Sequence, residues 1–405
     1  MHKKIFNLLK ISFLANIFEW YEFSLSAYLA LIIGHLFFPS KNDIIAVLIS
    51  FSIFATSYIS RPLGSLFFGH LADKYGTGLS LKNSMILMSM PTILIGLLPT
   101  YYDIGYIATI LLLSLKLIHG FSAGGELPIN AFYIYKACEE NQYRSFLCSL
   151  VNVGGMVGFL LASFIIFLLY ALFNKETVTE WAWRLPFLLS LPLSIIIFKI
   201  RKHIIMGQNL FLNNDKIGLK SSSIKNIIKA FVIISILQVS FYIIFLWLPT
   251  YLEVYENIPH FYAKISNVFA ISALAILTLF FGYIGKRVNY KTLMTISIIS
   301  LTMLSYPLFS ALHFKSFYIL LMVQLMFVLI LAPLQGSYIF ALGELFGHKN
   351  NNLFFAITFT FPTAFFGGTA PLVCSYFIHF FDWSNFPGFY LSLFGLITIP
   401  AVIFL

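Results

Sequence analysis

Two glutamates lie inside the first long apolar segment of the chain. The stretch NIFEWYEF, residues 16–23, carries Glu19 and Glu22 three residues apart. Three residues turn an α-helix by roughly 300°, so both side chains share one helical face. A lone charge at the centre of a bilayer costs at least ~2.5–3.5 kcal/mol, so each glutamate should face a cavity or a partner. Carboxylates placed in this way can hold a proton or the cationic part of a ligand.

Two basic residues are candidate partners for these acids. Arg61 and Lys116 interrupt the second and fourth apolar segments. Counting ~1.5 Å per residue from the predicted helix ends places Glu22 and Arg61 each about 16 Å deep, and Lys116 at a similar depth. Two acids and two bases at one depth predict a mutually neutralising cluster that can bind a zwitterion or a proton. The alternative is that the four charges only hold helices together.

Four neighbouring residues are further candidates for the same site. The rings of Trp20 and Tyr21 either hold a quaternary ammonium by cation–π contact or are packing aromatics. His119 either titrates near neutral pH or is a hydrogen-bonding packing residue. Glu126, ten residues beyond Lys116, either joins the cluster or bonds to the turn that follows the second apolar segment.

Membrane-spanning helices must position these residues. Of the 405 residues, 60% are hydrophobic and only 10% are charged, which is too apolar for a soluble protein of this length. Apolar segments of around 20 residues recur along the whole chain and predict twelve spans. The predicted spans are 11–37, 43–71, 83–100, 105–136, 142–173, 181–200, 227–252, 262–284, 291–312, 316–346, 350–380 and 387–405.

Basic residues are distributed unevenly among the connections between these spans. One alternating set of connections holds eighteen lysines and arginines, whereas the other holds four. Because cytoplasmic connections are enriched in Lys and Arg, this bias places both termini and the 203–226 connection in the cytoplasm. The same bias explains the net charge of +10 as an orientation signal, and we expect no nucleic-acid partner.

Two motifs of other function classes are missing from the sequence. It contains no G-x-x-x-x-G-K-[ST] phosphate-binding loop and no H-E-x-x-H zinc motif. Cys138, Cys148 and Cys374 have neither CxxC nor metal-ligand spacing, so we expect them to be packing residues. The sequence therefore predicts a protein that is not an enzyme and holds no metal or cofactor.

The connection after the second span carries a recognisable pattern. It reads Gly69-His-Leu-Ala-Asp73-Lys74-Tyr-Gly76 and resembles G-x-x-x-D-[RK]-x-G, the signature of the major facilitator superfamily. Gly69 allows two helices to approach closely, Asp73 can cap a helix or pair with a base, and Gly76 permits a tight turn.

Four further stretches resemble the metabolite:proton symporter family of this superfamily. NIFEWYEF resembles N-x-x-E-W-[FY]-D-F, and KLIHGFSAGGE, residues 116–126, resembles R-x-x-Q-G-x-S-x-G-G-E. WRLPF at 183–187 and GGTAP at 367–371 resemble motifs of the sixth and eleventh spans. Within the family, the likeness is greatest to the branch that takes up proline and betaine.

The sequence also departs from the family pattern. Glu22, Lys116 and His119 stand where the family has Asp, Arg and Gln. Thr77 and Gly78 replace two basic residues of the signature, and the corresponding second-half segment, 285–289, lacks the expected Asp. These departures leave the fold prediction intact but bear on substrate and coupling.

The resemblance implies an all-α polytopic membrane protein with the major-facilitator fold. Two six-helix bundles, 1–202 and 227–405, would be joined by a cytoplasmic linker at 203–226, as a rocking transporter requires. Spans 1 and 4 would line a central cavity. Asp73 and Arg144 would form a cytoplasmic gate pair beside the signature turn.

The implied function is proton-coupled uptake of a small zwitterion of the proline or glycine betaine type. The protein would work as a monomer in the bacterial inner membrane, with the lipid bilayer, the solute and a proton as its partners. One alternative is a dicarboxylate symporter, for a solute such as 2-oxoglutarate, in which Arg61 and Lys116 pair with two carboxylates. The others are a family member that no longer transports, and an integral-membrane enzyme such as a lipid transferase.

The basic bias of the connections makes a testable prediction about topology. Reporter fusions after the last span and within 203–226 should both report a cytoplasmic location, because Lys and Arg resist translocation. A fusion in the connection around Lys175 serves as the control and should report the opposite side. An external location for the 203–226 reporter would contradict the predicted orientation.

Overall fold

The computed structural model describes residues 2–38, 49, 52–53, 55–139, 141–205, 224–346 and 352–404. Within these ranges the chain consists of helices and short connections, with no strand. The long apolar runs of the sequence therefore fold as helices, in which every backbone group finds its partner within the same segment.

The helices follow the predicted spans closely. Those of the first half are His2–Tyr28, Ala30–Phe37, Arg61–Tyr75, Thr77–Leu97, Tyr101–Ile104, Tyr106–Ala137, Arg144–Leu172, Lys175–Thr177, Val178–Ala182, Arg184–Leu188 and Ser190–Ile205. Those of the second half are Ile224–Phe241, Tyr242–Trp247, Leu248–Val254, His260–Ile284, Tyr290–Ala311, Leu312–Phe314, Phe317–Phe346, Asn352–Pro362, Thr363–Gly367, Ala370–Phe381 and Phe386–Ile403. Spans are numbered 1 to 12 below in the predicted order.

Eleven of the twelve predicted spans have a full counterpart in the described part of the chain. Nine helices there are long and apolar enough to cross a bilayer unaided, and two bent pairs of helices, in spans 1 and 6, supply two more. Most of residues 43–54, the first part of predicted span 2, lies outside the described residues, and the helix Arg61–Tyr75 forms its end. Because span 2 is only partly described, the count of twelve spans stays a prediction.

Several spans are bent or locally widened. Span 1 bends by 61° between Tyr28 and Ala30. Segments of π-helix interrupt spans 6, 7 and 11 at Val178–Ala182, Tyr242–Trp247 and Thr363–Gly367. The π segments of spans 7 and 11 meet, since a Cβ added at Gly367 would lie 3.0 Å from the Tyr242 ring. Such interruptions are frequent at functional sites of helical proteins.

Glycines bring spans 2 and 4 into backbone contact. A Cβ added at Gly120 would lie 1.7 Å from the Ser57 carbonyl oxygen, and one at Gly124 would lie 2.2 Å from that of Arg61. Only residues without a side chain permit this approach, which is a common basis of helix association in membranes. The contact fixes the position of Arg61 against span 4.

The described residues form two compact units. One gathers residues from 1–134, 157–219 and 350–360, and the other gathers residues from 135–156, 220–349 and 361–405. The first unit thus includes residues 350–360, the start of span 11, which the sequence assigns to the second half. The second unit includes residues 135–156, with the start of span 5, which the sequence assigns to the first half. Most of the predicted linker, residues 206–223, lies outside the described residues. The division into bundles 1–202 and 227–405 stays a prediction.

The contact between spans 2 and 4 makes a prediction about stability. Gly120→Val should cost more than the ~1–3 kcal/mol typical of overpacking, because the obstructing atom is a backbone oxygen that cannot rotate away. The free energy of unfolding in detergent measures this cost. Ser114→Val, an exposed position on the same helix, is the matched control and should unfold almost like the wild type. Equal stability of the two variants would contradict the described contact.

Candidate functional site

Five ionisable side chains of the first half lie buried close together. Glu19 and Glu22 come from span 1, Arg61 from span 2, and Lys116 and His119 from span 4, and each is at most 4% exposed. Electrostatic contacts link Glu22 to Glu19 and Lys116, and link His119 to Lys116 and Arg61. The structure therefore brings together the charges that the sequence placed at one depth. These five residues are called the charged cluster below.

Glu22 lies at the centre of the charged cluster. Its Oε2 atom is 3.9 Å from Nε2 of His119. The hydroxyls of Thr92 on span 3 and Ser190 on span 6 face the same carboxylate, and Lys116 adds a positive charge nearby. Four spans thus surround one acid, and changes in their packing would change its environment.

Lys116 connects spans 1 and 4. Its Nζ atom donates a hydrogen bond to the hydroxyl of Ser26, one helical turn beyond Glu22. An ammonium buried among apolar helices needs such a partner together with a nearby negative charge, and Ser26 and Glu22 supply both. The predicted pairing of a span 4 cation with a span 1 acid is therefore present as an electrostatic contact.

Arg61 is held by aromatic rings. Its guanidinium carbon lies 4.3 Å from the centroid of the Phe23 ring and 4.4 Å from that of Tyr58. The Nε and Nη2 atoms of Arg61 donate no hydrogen bond to a described residue. Cation–π contact stabilises a guanidinium without occupying its N–H groups. The predicted neutralisation of Glu19 and Glu22 by Arg61 stays a prediction.

Phe23 and Tyr58 are the residues of this site that the sequence prediction missed. Phe23 also stacks on the His119 ring, at 6.0 Å between centroids and 21° between planes. Their positions carried a usable signal, because Phe23 is four residues from Glu19 and Tyr58 is three from Arg61. Residues at these spacings lie on one helix face.

Trp20 and Tyr21 were predicted as possible ammonium-binding rings. The Tyr21 hydroxyl donates a 2.6 Å hydrogen bond to the Pro186 carbonyl oxygen, and its ring lies in the apolar core with Trp183. Tyr21 therefore packs span 1 against span 6, as the alternative prediction held. The Trp20 ring packs on the Phe159 ring, with 5.1 Å between their centroids.

Glu126 lies apart from the charged cluster, about two helical turns beyond His119. Its Oε2 atom accepts a 2.6 Å hydrogen bond from the hydroxyl of Ser84 on span 3. This bond holds span 4 against the helix Thr77–Leu97, which follows the signature turn. The two predicted alternatives for Glu126, joining the charged cluster or bonding to the signature turn, stay predictions.

Ser122 lies in the stretch Gly120-Phe-Ser-Ala-Gly124, which has the G-x-S-x-G spacing of hydrolase nucleophiles. Its hydroxyl donates to the carbonyl oxygens of Ile118 and His119, at 2.9 and 2.8 Å. The stretch is the interior of the continuous helix Tyr106–Ala137, whereas a nucleophile elbow needs a sharp turn between strand and helix. The glycines of this stretch serve helix packing.

Asp73 of the signature turn caps the helix Asn352–Pro362. Its carboxylate accepts hydrogen bonds from the backbone N–H of Asn352 and Leu353, at 3.2 and 3.1 Å, and from Asn352 Nδ2 at 2.7 Å. Gly69 makes this approach possible, since a Cβ there would lie 2.8 Å from the Leu353 Cα. An anion at a helix N-terminus satisfies free amides and interacts favourably with the helix dipole.

The other two residues of the signature turn have local roles. Gly76 ends the helix Arg61–Tyr75 with a φ of 96°, in the region that favours glycine. The ammonium of Lys74 lies 5.1 Å from the centroid of the exposed Tyr75 ring. The predicted tight turn at Gly76 is therefore present.

Arg144 pairs with Glu344, and its predicted pairing with Asp73 stays a prediction. Arg144 Nη1 lies 3.4 Å from Oε1 of Glu344, and its Nε donates a 2.9 Å hydrogen bond to the Tyr135 carbonyl oxygen. The Tyr135 hydroxyl donates to the same Glu344 oxygen at 2.7 Å. The sequence analysis did not name Glu344 as a candidate gate residue, although an acidic residue near the end of a long apolar span could have indicated it.

Buried charge is scarce in the second half. Among residues 224–346 and 352–404 whose burial the structure describes, Glu256 is the one buried ionisable side chain of Asp, Glu, Lys, Arg or His. Glu256 lies in the connection after span 7 and accepts a 2.7 Å hydrogen bond from the Tyr251 hydroxyl. Among the described residues, buried ionisable side chains within the predicted spans are therefore concentrated in the first half.

The chain is similar to known transporters over most of its length. The family model described as Major Facilitator Superfamily matches residues 11–368. The glycine betaine/proline/ectoine/pipecolic acid transporter OusA of Dickeya dadantii (strain 3937) is 28% identical over 97% of this chain and 81% of its own length. The proline/betaine transporter of Salmonella typhimurium (strain LT2) is 28% identical over 95% of this chain and 81% of its own.

Among solved structures, the chain is similar to the proton:xylose symporter XylE bound to 6-bromo-6-deoxy-D-glucose. The TM-score is 0.79 at 13% identity, over 100% of this chain and 95% of that one. At this identity the likeness concerns the fold alone. Together with the family match, it confirms the predicted all-α major-facilitator fold.

The partners of Arg144 make a prediction that a double-mutant cycle can measure. Arg144→Gln and Glu344→Gln should show a coupling of about 1 kcal/mol in the free energy of unfolding, because the partly exposed pair shares its acceptor oxygen with Tyr135. The cycle of Arg144→Gln with Asp73→Asn is the control and should be additive within ~0.5 kcal/mol. Coupling between Arg144 and Asp73, together with additivity between Arg144 and Glu344, would favour the Asp73–Arg144 pair.

Proposed function

The chain belongs to the major facilitator superfamily and is a membrane transporter, and from this premise we propose that it takes up a small zwitterion together with a proton. The solute class that we propose is that of proline and glycine betaine. The two bacterial relatives described above support this choice by their names and by their coverage of almost the whole chain.

The observation that carries the proposal is the charge balance of the charged cluster. Arg61 offers Nε and Nη2 donors that no described residue occupies, and these suit the carboxylate of a zwitterion. Glu19 and Glu22 on the neighbouring span suit its cationic end. A zwitterion adds no net charge to the buried cluster, whereas a dicarboxylate would bring two negative charges beside two acids.

Glu22 is the proposed proton carrier. It is buried, and its neighbours Lys116 and His119 both lie on span 4. A movement of span 4 relative to span 1 would change the free energy of the ionised carboxylate, so protonation and helix position are linked. Glu19, one helical turn away, is proposed to have a structural role: it contributes a negative charge to the site but does not carry the proton.

Transport follows by alternating access in this proposal. The two six-span halves rock about the charged cluster in the bacterial inner membrane, with both termini in the cytoplasm and one chain as the working unit. The Asp73 cap and the Arg144–Glu344 pair form the proposed cytoplasmic gate, and their bonds break when this side opens. Arg144 retains the gate role predicted from the sequence, with Glu344 as its partner.

Uptake into proteoliposomes tests the proposed function. Wild-type protein should accumulate labelled proline or glycine betaine when an inward proton gradient is imposed, and a proton ionophore should abolish the accumulation. Labelled 2-oxoglutarate serves as the dicarboxylate arm and should not accumulate. Arg61→Gln should lose uptake while retaining its expression level, because it removes the carboxylate-binding donors.

Three outcomes would contradict this proposal. Accumulation of 2-oxoglutarate without proline or betaine uptake would favour the dicarboxylate alternative. Absence of any uptake by well-folded protein would favour a family member that no longer transports. Unchanged affinity in Arg61→Gln would remove Arg61 from the binding site.

The role of Glu22 gives a separate prediction. Glu22→Gln should equilibrate labelled solute with unlabelled solute across the vesicle membrane but should not accumulate it against a gradient, because a neutral amide mimics the protonated acid permanently. Glu126→Gln is the matched control, since it changes another buried acid of the same half that bonds to Ser84, outside the charged cluster. Accumulation by Glu22→Gln together with its loss in Glu126→Gln would transfer the coupling role to Glu126.

A further inference from the structure

Spans 3 and 6 form a groove that opens on the surface of the first unit. The two spans touch at one end, where a Cβ added at Gly96 would lie 3.0 Å from the Phe187 Cβ. Arg184 strengthens this contact by donating a 2.9 Å hydrogen bond to the Leu98 carbonyl oxygen. Toward the other end the spans enclose a groove of about 690 Å³.

The walls of this groove are apolar. Six of the lining side chains are Met85, Ile86, Met90, Ile93, Leu94 and Ile195. Two serines also line it, but the Ser89 hydroxyl donates to the Met85 carbonyl oxygen at 2.9 Å and that of Ser194 donates to Leu191 at 2.8 Å. Their own helices thus satisfy these hydroxyls, and the groove offers an occupant mainly hydrocarbon.

The length of the groove matches one leaflet of a bilayer. From residue 85 to residue 94 the helix of span 3 rises about 14 Å, close to half of a hydrocarbon core of about 30 Å. Ile86, Met90 and Ile195 are exposed, so in a membrane they face acyl chains and not water. An occupant of this groove therefore reaches it from the lipid phase.

Positive charge lies at the end of the groove away from Gly96. Lys199 lines this end, and the Lys82 ammonium lies 5.9 Å from the centroid of the Phe198 ring, between the two spans. The helices Thr77–Leu97 and Ser190–Ile205 contain no acidic residue, and Arg201 and Lys202 follow Lys199 in the sequence. Lys82 and Lys199 therefore bring positive charge to the depth of a lipid phosphate.

We propose that this groove is a binding site for an anionic phospholipid. One acyl chain lies between spans 3 and 6 along Met85–Leu94, and the phosphate meets Lys82 and Lys199. By the predicted topology this is the cytoplasmic leaflet. The proposal is independent of the transported solute, because no residue of the charged cluster lines the groove.

The position of the groove gives the bound lipid a structural consequence. Met85 belongs to a buried apolar cluster with Phe18 of span 1 and Ile197 of span 6, and Phe198 packs against this cluster. Phe18 directly precedes Glu19. An acyl chain in the groove thus packs against this apolar cluster, next to Glu19, and stabilises the folded first half.

Lipid binding to the purified full-length protein in detergent tests the proposal. Phosphatidylglycerol should raise the unfolding temperature more than phosphatidylcholine with the same acyl chains, and inorganic phosphate alone should have no effect. Lys82→Gln and Lys199→Gln should each weaken phosphatidylglycerol binding about fivefold, because one lysine near an anionic headgroup contributes on that order. Arg287→Gln is the control, since Arg287 is an exposed cation in the turn after span 8 and does not line the groove.

A crosslinking experiment locates the acyl chain. Phosphatidylglycerol with a photoreactive group in its acyl chain should label peptides that contain Ile86, Met90 or Ile195, and Met90→Trp should reduce this labelling by filling the groove. Equal stabilisation by the two lipids, or an unchanged preference in the Lys82→Gln/Lys199→Gln variant, would overturn the proposal. Labelling spread evenly over the other spans would also overturn it.

Discussion

The interior of a bilayer offers no water to an ionised side chain, and this constraint governs the first half of the molecule. Each buried charge must find its stabilisation within the helix bundle. Glu22 finds it in the positive charge of Lys116 on the neighbouring span 4. Arg61 finds it in two aromatic rings. Because the stabilisation comes from several helices at once, any movement of one helix changes the charge balance of the others.

Helix packing and charge placement therefore depend on each other. Gly120 and Gly124 bring span 4 onto the backbone of span 2, and the second of these contacts is with Arg61 itself. A larger residue there would separate Arg61 from His119. The stacking of Arg61 on Phe23 and Tyr58 then leaves guanidinium N–H groups without a described acceptor, which a pairing with a carboxylate would have used. Packing thus determines which donors remain for a ligand.

The sequence predicted the spans and most of the charged cluster because both follow from local properties. Hydropathy marks a span wherever it occurs, and a charge inside a span is conspicuous. The partners of Asp73 and Arg144 could not be predicted in this way. Glu344 lies 200 residues from Arg144. The amides that Asp73 caps are present in every residue type except proline, so the sequence does not mark them. The stacking of Arg61 was missed because aromatic residues are abundant in every span.

The cap that Asp73 places on the helix Asn352–Pro362 has a consequence for sequence drift. Two of its three bonds end on backbone amides, which every amino acid except proline retains. Position 353 is therefore tolerant of substitution as far as this contact is concerned, whereas a change at position 352 also removes the bond from Asn352 Nδ2. Residue 73 has no such freedom, because the acceptor is its own carboxylate. Mutational tolerance is thus strongly asymmetric across a single contact, with one side nearly free to vary and the other fixed.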